Sequence, residues 1–302
     1  MSWLQALLLG LVQGLTEFLP VSSSGHLMIM RELLGVDSEG FLDFTVTVHL
    51  ATVLSTIIVF WKPICKLLAG LFKFKYNDET DYIFKLIVSM IPVALVGFLF
   101  KDKVEALFGD SLTTVAVCLI ITAVLLFLSD IFGNGSVRKR IPIVPTTAVD
   151  DSVAVDDSVA VGEPVEPVEP AEGARNGINF WQAFVVGIGQ ALAVAPGLSR
   201  SGTTIATGLL CGVKRSVMAQ FSFLMVLVPI LGEQFLDIMK VVSGEASLGG
   251  GLGPICLAVG FVSAFLAGLF ACKAMVALVR KAKLGWFALY CAIVAVLIFI
   301  LA

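Results

Sequence analysis

Apolar residues run through this chain in blocks of about 20, the length a helix needs to cross a hydrocarbon layer of ~30 Å. Six such blocks are expected to span a membrane: residues 41–61, 82–100, 112–132, 216–239, 254–279 and 284–302. Two further apolar stretches are broken. Residues 3–18 read as a helix too short and too polar at its far end to span alone. Leu19 precedes Pro20, which disfavours helical backbone, so that helix should stop there. A short helix restarts over 26–34 and ends at Gly35, and the segment 179–213 follows the same plan, with its second helix starting near Thr203.

The second broken stretch is a copy of the first. Sliding the chain by 177 residues superposes Gln5 on Gln182, Ala6 on Ala183, Gly10 on Gly187 and Gln13 on Gln190 without a gap. Leu15 then falls on Leu192, Ser22 on Ser199, Ser24 on Ser201 and Gly25 on Gly202. The chain therefore divides into a first repeat (1–132), a joining segment (133–176) and a second repeat (177–302). Three crossings per repeat is an odd number, so the second copy must enter the membrane upside down. Short segments broken by Gly and Pro at matching places point to re-entrant hairpins, here 1–36 and 179–213, that meet near the midplane. Irregular backbone at that depth survives only inside protein or along a wet cavity. The expected fold is an all-α polytopic membrane protein: an inverted-topology repeat of six transmembrane helices plus two re-entrant helical hairpins.

Composition excludes a soluble domain. Hydrophobic residues make up 58% and charged residues only 14%, where soluble domains carry about 25% charged. The net charge of −3 comes largely from residues 146–176, where Val-Asp-Asp-Ser-Val-Ala-Val occurs twice before a Glu-Pro-Val repeat. Acid and proline at that density make an extended spacer. The six cysteines include no Cys-x-x-Cys pair and imply neither disulfides nor a metal site. No nucleic-acid partner is expected. Basic residues are lopsided: Lys62, Lys66, Lys73, Lys75, Arg138, Lys139, Arg140, Lys214, Arg215, Arg280, Lys281 and Lys283 fall on one side. Only Arg31, Lys101, Lys103 and Lys240 fall on the other. The positive-inside rule makes the first side cytoplasmic and opens the first hairpin outward.

Chemistry gathers in the hairpins. Gln13 and Glu17, four apart, share one helix face, and an ionisable group at membrane depth is a functional hypothesis by default. The alternative is that Glu17 ends its helix in water. Ser22, Ser23 and Ser24 follow, and Gly25 lets backbone N–H groups come close to a ligand. The helix starting near His26 offers an N-terminal anion site. In the second hairpin Ser199, Arg200, Ser201, Gly202 and Thr203 add a guanidinium, whose planar fork suits phosphate oxygens. Arg200 could instead pair with Glu17 and hold the hairpins together. If the two turns meet, hydroxyls, imidazole, guanidinium and helix N-termini make a phosphate site. A carboxylate there needs protonation or a divalent ion, so Glu17, helped by the Gln13 carbonyl, is a candidate ligand for Mg²⁺ or Ca²⁺. A serine needs a base to become a nucleophile, and His26 lies three residues from Ser23. His49, inside a span, reads first as a packed, hydrogen-bonded residue and second as a cavity liner. Glu233, Gln234 and Asp237 read as facing the outer mouth or the following loop.

Gln13-x-x-x-Glu17 with Pro20-Val21-Ser22-Ser23-Ser24-Gly25-His26, and Pro196-Gly197-Leu198-Ser199-Arg200-Ser201-Gly202-Thr203, resemble the two motifs of the undecaprenyl-diphosphate phosphatases of bacteria, the bacitracin-resistance family of integral membrane enzymes. The resemblance covers nearly the whole chain except the acidic segment. It implies hydrolysis of undecaprenyl diphosphate to undecaprenyl phosphate and phosphate, which recycles the lipid carrier of peptidoglycan synthesis, by a multi-pass protein of the bacterial inner membrane whose site faces outward. Ser23 would be the nucleophile or its close partner, His26 the acid/base, Glu17 the metal ligand and Arg200 the phosphate clamp. Ser22, Ser24, Gly25, Ser199, Ser201, Gly202 and Thr203 would bind substrate. Gln13 departs from the Glu that many members carry, which leaves metal affinity to Glu17. A homodimer is compatible with this reading. The rival reading is a lipid flippase or secondary transporter, because broken inverted repeats also build transporters.

Overall fold

The computed structural model describes residues 1–37, 40–100, 111–133, 175–195, 197–243, 252–281 and 283–301. Most of the acidic joining segment, Lys101, Lys103, Arg138, Lys139, Arg140 and Pro196 lie outside these residues, as do the side chains of Glu233, Gln234 and Asp237.

Among the described residues the regular structure is all helical. The first half holds α1 (Trp3–Thr16), α2 (Ser23–Leu33), α3 (Phe41–Val59), α4 (Trp61–Leu71), α5 (Asp78–Leu99) and α6 (Leu112–Phe132). The second half holds α7 (Phe180–Leu192), α8 (Arg200–Leu210), α9 (Arg215–Val242), α10 (Pro254–Lys281) and α11 (Gly285–Leu301). The chain is a multi-pass membrane protein. Four helices, α5, α6, α9 and α10, are long and apolar enough to cross a bilayer. The expected span 41–61 is found as α3, which ends at Val59, and after Phe60 α4 leaves it at 72°; the pair makes a fifth crossing only if the two count as one. The expected last span, α11, falls among the shorter apolar helices together with α1. Among the described residues, length and apolarity therefore support four or five crossings, where the hydrophobic pattern predicts six.

The duplication recurs in individual bonds. Ser2 caps α1 through a reciprocal pair with Gln5, and Asn179 caps α7 through the same pair with Gln182; such boxes satisfy two orphan N–H groups at once. Gln5 Nε2 then donates to the Leu34 carbonyl (2.9 Å) and Gln182 Nε2 to the Cys211 carbonyl (3.0 Å), which ties the far end of each hairpin to its start. α1 packs along α10, and α7 along α5. At the first crossing a Cβ on Gly10 would stand 2.0 Å from Ser263 Oγ; at the second, one on Gly187 would stand 2.3 Å from the Ser89 carbonyl oxygen. Only glycine allows either approach, the small-residue packing typical of membrane helices.

Ion pairs, one of them buried, pin the two halves together. Lys85 Nζ donates to Asp81 Oδ2 (2.5 Å) and to the Arg175 carbonyl (2.8 Å), fastening the start of the second half onto α5. Asp130 at the end of α6 accepts from Arg215 and from the Gly285 amide, gathering the starts of α9 and α11. With these ends fixed, α6 packs against α11, and the two hairpin turns lie beside that pair.

Candidate active site

α1 ends at Thr16 and leaves Glu17 at its C-terminus, two residues earlier than the helix expected from Pro20. α2 begins at Ser23, three residues before His26, because Ser22 caps it: Ser22 Oγ accepts the Gly25 N–H at 3.2 Å. Ser22 does this with φ of +70°, a left-handed conformation that costs a non-glycine residue about 1–3 kcal/mol. The turn delivers Ser23 Oγ to 2.6 Å from Glu17 Oε2, and Gln13 Nε2 donates to the same oxygen at 2.8 Å.

The second hairpin repeats the cap with different chemistry. Ser199 Oγ accepts the Gly202 N–H (3.1 Å), and the Ser199 N–H donates to Thr122 Oγ1 on α6 (3.2 Å). α8 then starts at Arg200. The two turns touch: the Gly197 N–H donates to Ser24 Oγ (3.3 Å) and Ser201 Oγ to the Leu19 carbonyl (3.2 Å). Arg200 Nη2 comes within 3.9 Å of Glu17 Oε1, ion-pair range and beyond a hydrogen bond. The guanidinium can therefore meet both the carboxylate and an anion placed beside it.

Between the turns lies a narrow cavity that opens to solvent. Its polar end is formed by Glu17, Ser22, Ser23, Ser24, Ser199, Arg200 and Ser201, with Thr52 and Thr56 from α3. Its apolar side is Val53 from α3 with Phe223, Val226, Leu227 and Ile230 from α9. Such a cavity suits an anionic head on an apolar chain.

Five expected site residues stand apart from this lining: Gln13, buried beside Glu17, and four more. The Gly25 and Gly202 amides are spent on the serine caps, so neither faces a ligand. Thr203 is buried, its hydroxyl without a hydrogen-bond partner among the described residues. His26 is buried with both ring nitrogens engaged: Nδ1 is 2.7 Å from the Ser22 carbonyl oxygen and Nε2 is 2.8 Å from the Tyr290 hydroxyl. The imidazole expected to serve as acid/base to the substrate thus faces α11 and away from the cavity. Tyr290 carries no signal in the sequence beyond being a tyrosine in an apolar helix.

His49 goes the other way. Its Nδ1 is 2.8 Å from the Thr45 carbonyl oxygen, as a packed histidine's would be, yet Nε2 reaches within 3.8 Å of Glu17 Oε2. The sequence did carry a signal for it. Thr45, His49, Thr52 and Thr56 share one helix face by their spacing, and Thr52 and Thr56 on that face line the cavity.

A divalent ion fits here in one respect. With its amide nitrogen committed to Glu17, Gln13 leaves Oε1 buried and without a hydrogen-bond partner, an acceptor lacking a donor or cation. Among the described residues no group of three or more His, Cys, Asp or Glu is placed to hold a metal. An ion would rest on Glu17, Gln13 and the oxygens of a bound anion, as Mg²⁺ commonly does.

Fold and cavity together define a helical membrane protein built to hold an anionic group joined to an apolar chain. The family described as "Bacitracin resistance protein BacA" matches residues 6–297, and the chain belongs to it. Relatives named undecaprenyl-diphosphatase include one from Bacteroides fragilis, 46% identical over 98% of this chain and 97% of its own length. One from Parabacteroides distasonis is 47% identical over 97% and 96%. One from Christiangramia forsetii is 42% identical over 98% and 97%.

Proposed function

We propose that this chain is an undecaprenyl-diphosphate phosphatase, an integral membrane hydrolase that converts undecaprenyl diphosphate and water to undecaprenyl phosphate and phosphate. The product is the lipid carrier of peptidoglycan synthesis, and keeping it in supply underlies bacitracin resistance. The relatives' shared name and the family support the activity. The lopsided basic residues support a bacterial inner-membrane protein with its cavity open to the outside.

One observation carries the mechanism: the 2.6 Å contact in which the Ser23 hydroxyl meets Glu17 Oε2. Ser23 attacks the terminal phosphorus as Glu17 takes its proton, and the bond from that phosphorus to the bridging oxygen breaks. Undecaprenyl phosphate leaves with the electron pair. Water then attacks the phosphoserine, the Ser23 oxygen recovers a proton from Glu17, and phosphate departs. Arg200, Ser199, Ser201, Ser22 and Ser24 hold the phosphoryl oxygens, a role in which preorganised donors supply much of the rate. Glu17 and Gln13 would hold Mg²⁺ or Ca²⁺, whose charge would offset that of the diphosphate. The prenyl chain lies along the apolar side between α3 and α9, where each buried CH₂ contributes about 0.8 kcal/mol.

The test is phosphate release from undecaprenyl diphosphate by the purified full chain in detergent, where no gradient exists. Release by the wild type and its loss in Ser23→Ala are expected. A wild type that releases none, yet moves labelled lipid across proteoliposomes, would return the transporter reading.

A further inference from the structure

His26 is the residue whose placement the proposed chemistry does not use. Its Nδ1 lies 2.7 Å from a carbonyl oxygen, that of Ser22, so that nitrogen carries a proton and donates it. Nε2 lies 2.8 Å from the Tyr290 hydroxyl, and the two rings are within 8° of parallel with centroids 5.6 Å apart. In the neutral imidazole the tyrosine O–H donates to Nε2; in the charged one Nε2–H donates to the tyrosine oxygen. Either way no ring nitrogen is left for the cavity, whose lining does not include His26. The carbonyl that His26 grips belongs to Ser22, the residue held at φ of +70°. The next residue on α11 grips the same turn, with Cys291 Sγ 3.7 Å from the Pro20 carbonyl oxygen. A strained backbone persists only where its surroundings over-determine it, and these contacts are those surroundings.

We propose that Tyr290 is a positioning residue for this reaction: acting through His26, it fixes the Ser22–Ser24 turn so that Ser23 meets Glu17, and the imidazole is a strut that exchanges no proton with substrate. This rests on the phosphatase reading, with Ser23 as nucleophile. The strut explains why a histidine stands one turn into α2: its ring reaches back to its own cap with one nitrogen and across to α11 with the other. An apolar side chain would leave the Ser22 carbonyl and the Tyr290 hydroxyl without these bonds.

The experiment uses the full-length protein in nanodiscs, with turnover of undecaprenyl diphosphate and ¹⁵N spectra of histidine-labelled protein. Only His26 and His49 contribute signals. Tyr290→Phe should lower kcat about ten- to a hundredfold, the cost of misplacing a reacting group, with KM little changed, and should move the His26 Nε2 resonance. His26→Asn keeps an N–H toward the Ser22 carbonyl but cannot relay a proton, so it should turn over at least about tenfold faster than His26→Ala. Asn as poor as Ala would overturn the proposal, because the imidazole would then be moving protons. So would Tyr290→Phe with wild-type kcat, or with the His26 resonance in place. A wild type that releases no phosphate would sink the phosphatase reading instead, while the resonance would still report whether the tyrosine contact exists.

Discussion

The two hairpins share a skeleton and divide the chemistry. Residues 177 apart make the same caps in both: Ser22 and Ser199 receive the Gly25 and Gly202 amides, and Gln5 and Gln182 tie off Leu34 and Cys211. The first residue of the second helix is Ser23 in one hairpin and Arg200 in the other, at equivalent positions. Glu17 answers to Val194, and His26 to Thr203. One hairpin thus supplies the acid and the hydroxyl, and the other supplies the cation at the same point of the same turn. Two copies of one loop, brought tip to tip, need few substitutions to make a site with opposite charges on its two walls. Backbone geometry tolerates little change, because both caps and both glycine crossings depend on it. The side chain at the first helical position is free to vary because it points into the shared cavity.

The sharpest way to break this division is to remove each hairpin's contribution at that position. Ser23→Ala should lower kcat by roughly 10³-fold or more, as loss of a nucleophile does, while the protein still binds the lipid. Glu17→Gln leaves the hydroxyl without its base and should lose about 10²–10⁴-fold. Phosphate release under saturating substrate measures both. Either variant keeping wild-type turnover would mean the contact between the two residues is structural. Arg200→Ser makes the two turns alike and should lose about 10²–10³-fold, the scale of a missing transition-state donor, with KM raised as well. A change in KM alone would limit Arg200 to holding substrate.

Much of this division was legible in the sequence. The shift of 177, the Gly and Pro breaks and the Ser-Arg-Ser run placed both turns, and the touching tips now found are what those signals require. Other features were not. A helix start depends on which residue caps it, and the left-handed Ser22 moves α2 back to Ser23, which no periodicity reveals. Spacing in the chain set His26 beside Ser23, whereas on the helix its ring turns toward α11 and Tyr290, a partner 264 residues away. His49 reads first as a packed histidine and second as a cavity liner, and it is in part both, with Nδ1 on the Thr45 carbonyl and Nε2 toward Glu17. The bend at Phe60 falls at the expected end of the span 41–61; what hydropathy does not reveal is α4, a second helix beginning at Trp61 in a stretch that Lys62, Pro63 and Lys66 mark as a loop.

A second comparison concerns the paired glutamines. Gln13 faces Glu17 and keeps a bare Oε1; Gln13→Glu would add a second carboxylate at that spot. Mg²⁺ affinity of the substrate-free protein, read by calorimetry, should rise about tenfold, or 1.4 kcal/mol, since hard cations respond to ligand charge. An unchanged affinity would place the ion elsewhere, and EDTA should then leave turnover of the wild type and the variant equally affected.

The smallest effect belongs to the other glutamine, and it tests whether the shared skeleton still carries a polar group that only one hairpin uses. Gln190 is buried, has Val194 four residues on where its counterpart has Glu17, and has neither Nε2 nor Oε1 hydrogen-bonded to the described protein. A buried polar group left unsatisfied costs about 1–3 kcal/mol. Methionine has nearly the same volume and no such group, and swaps that conserve volume are well tolerated. Gln190→Met should therefore raise Tm by about 2–4 °C for each kcal/mol recovered and leave turnover as it is, whereas Gln13→Met should cost activity. A fall in Tm would show that water satisfies Gln190 in the folded protein, because removing a group held by buried water forfeits those bonds. The second hairpin would then hold a wet polar site of its own, and the division of labour between the turns would be less complete than their side chains suggest.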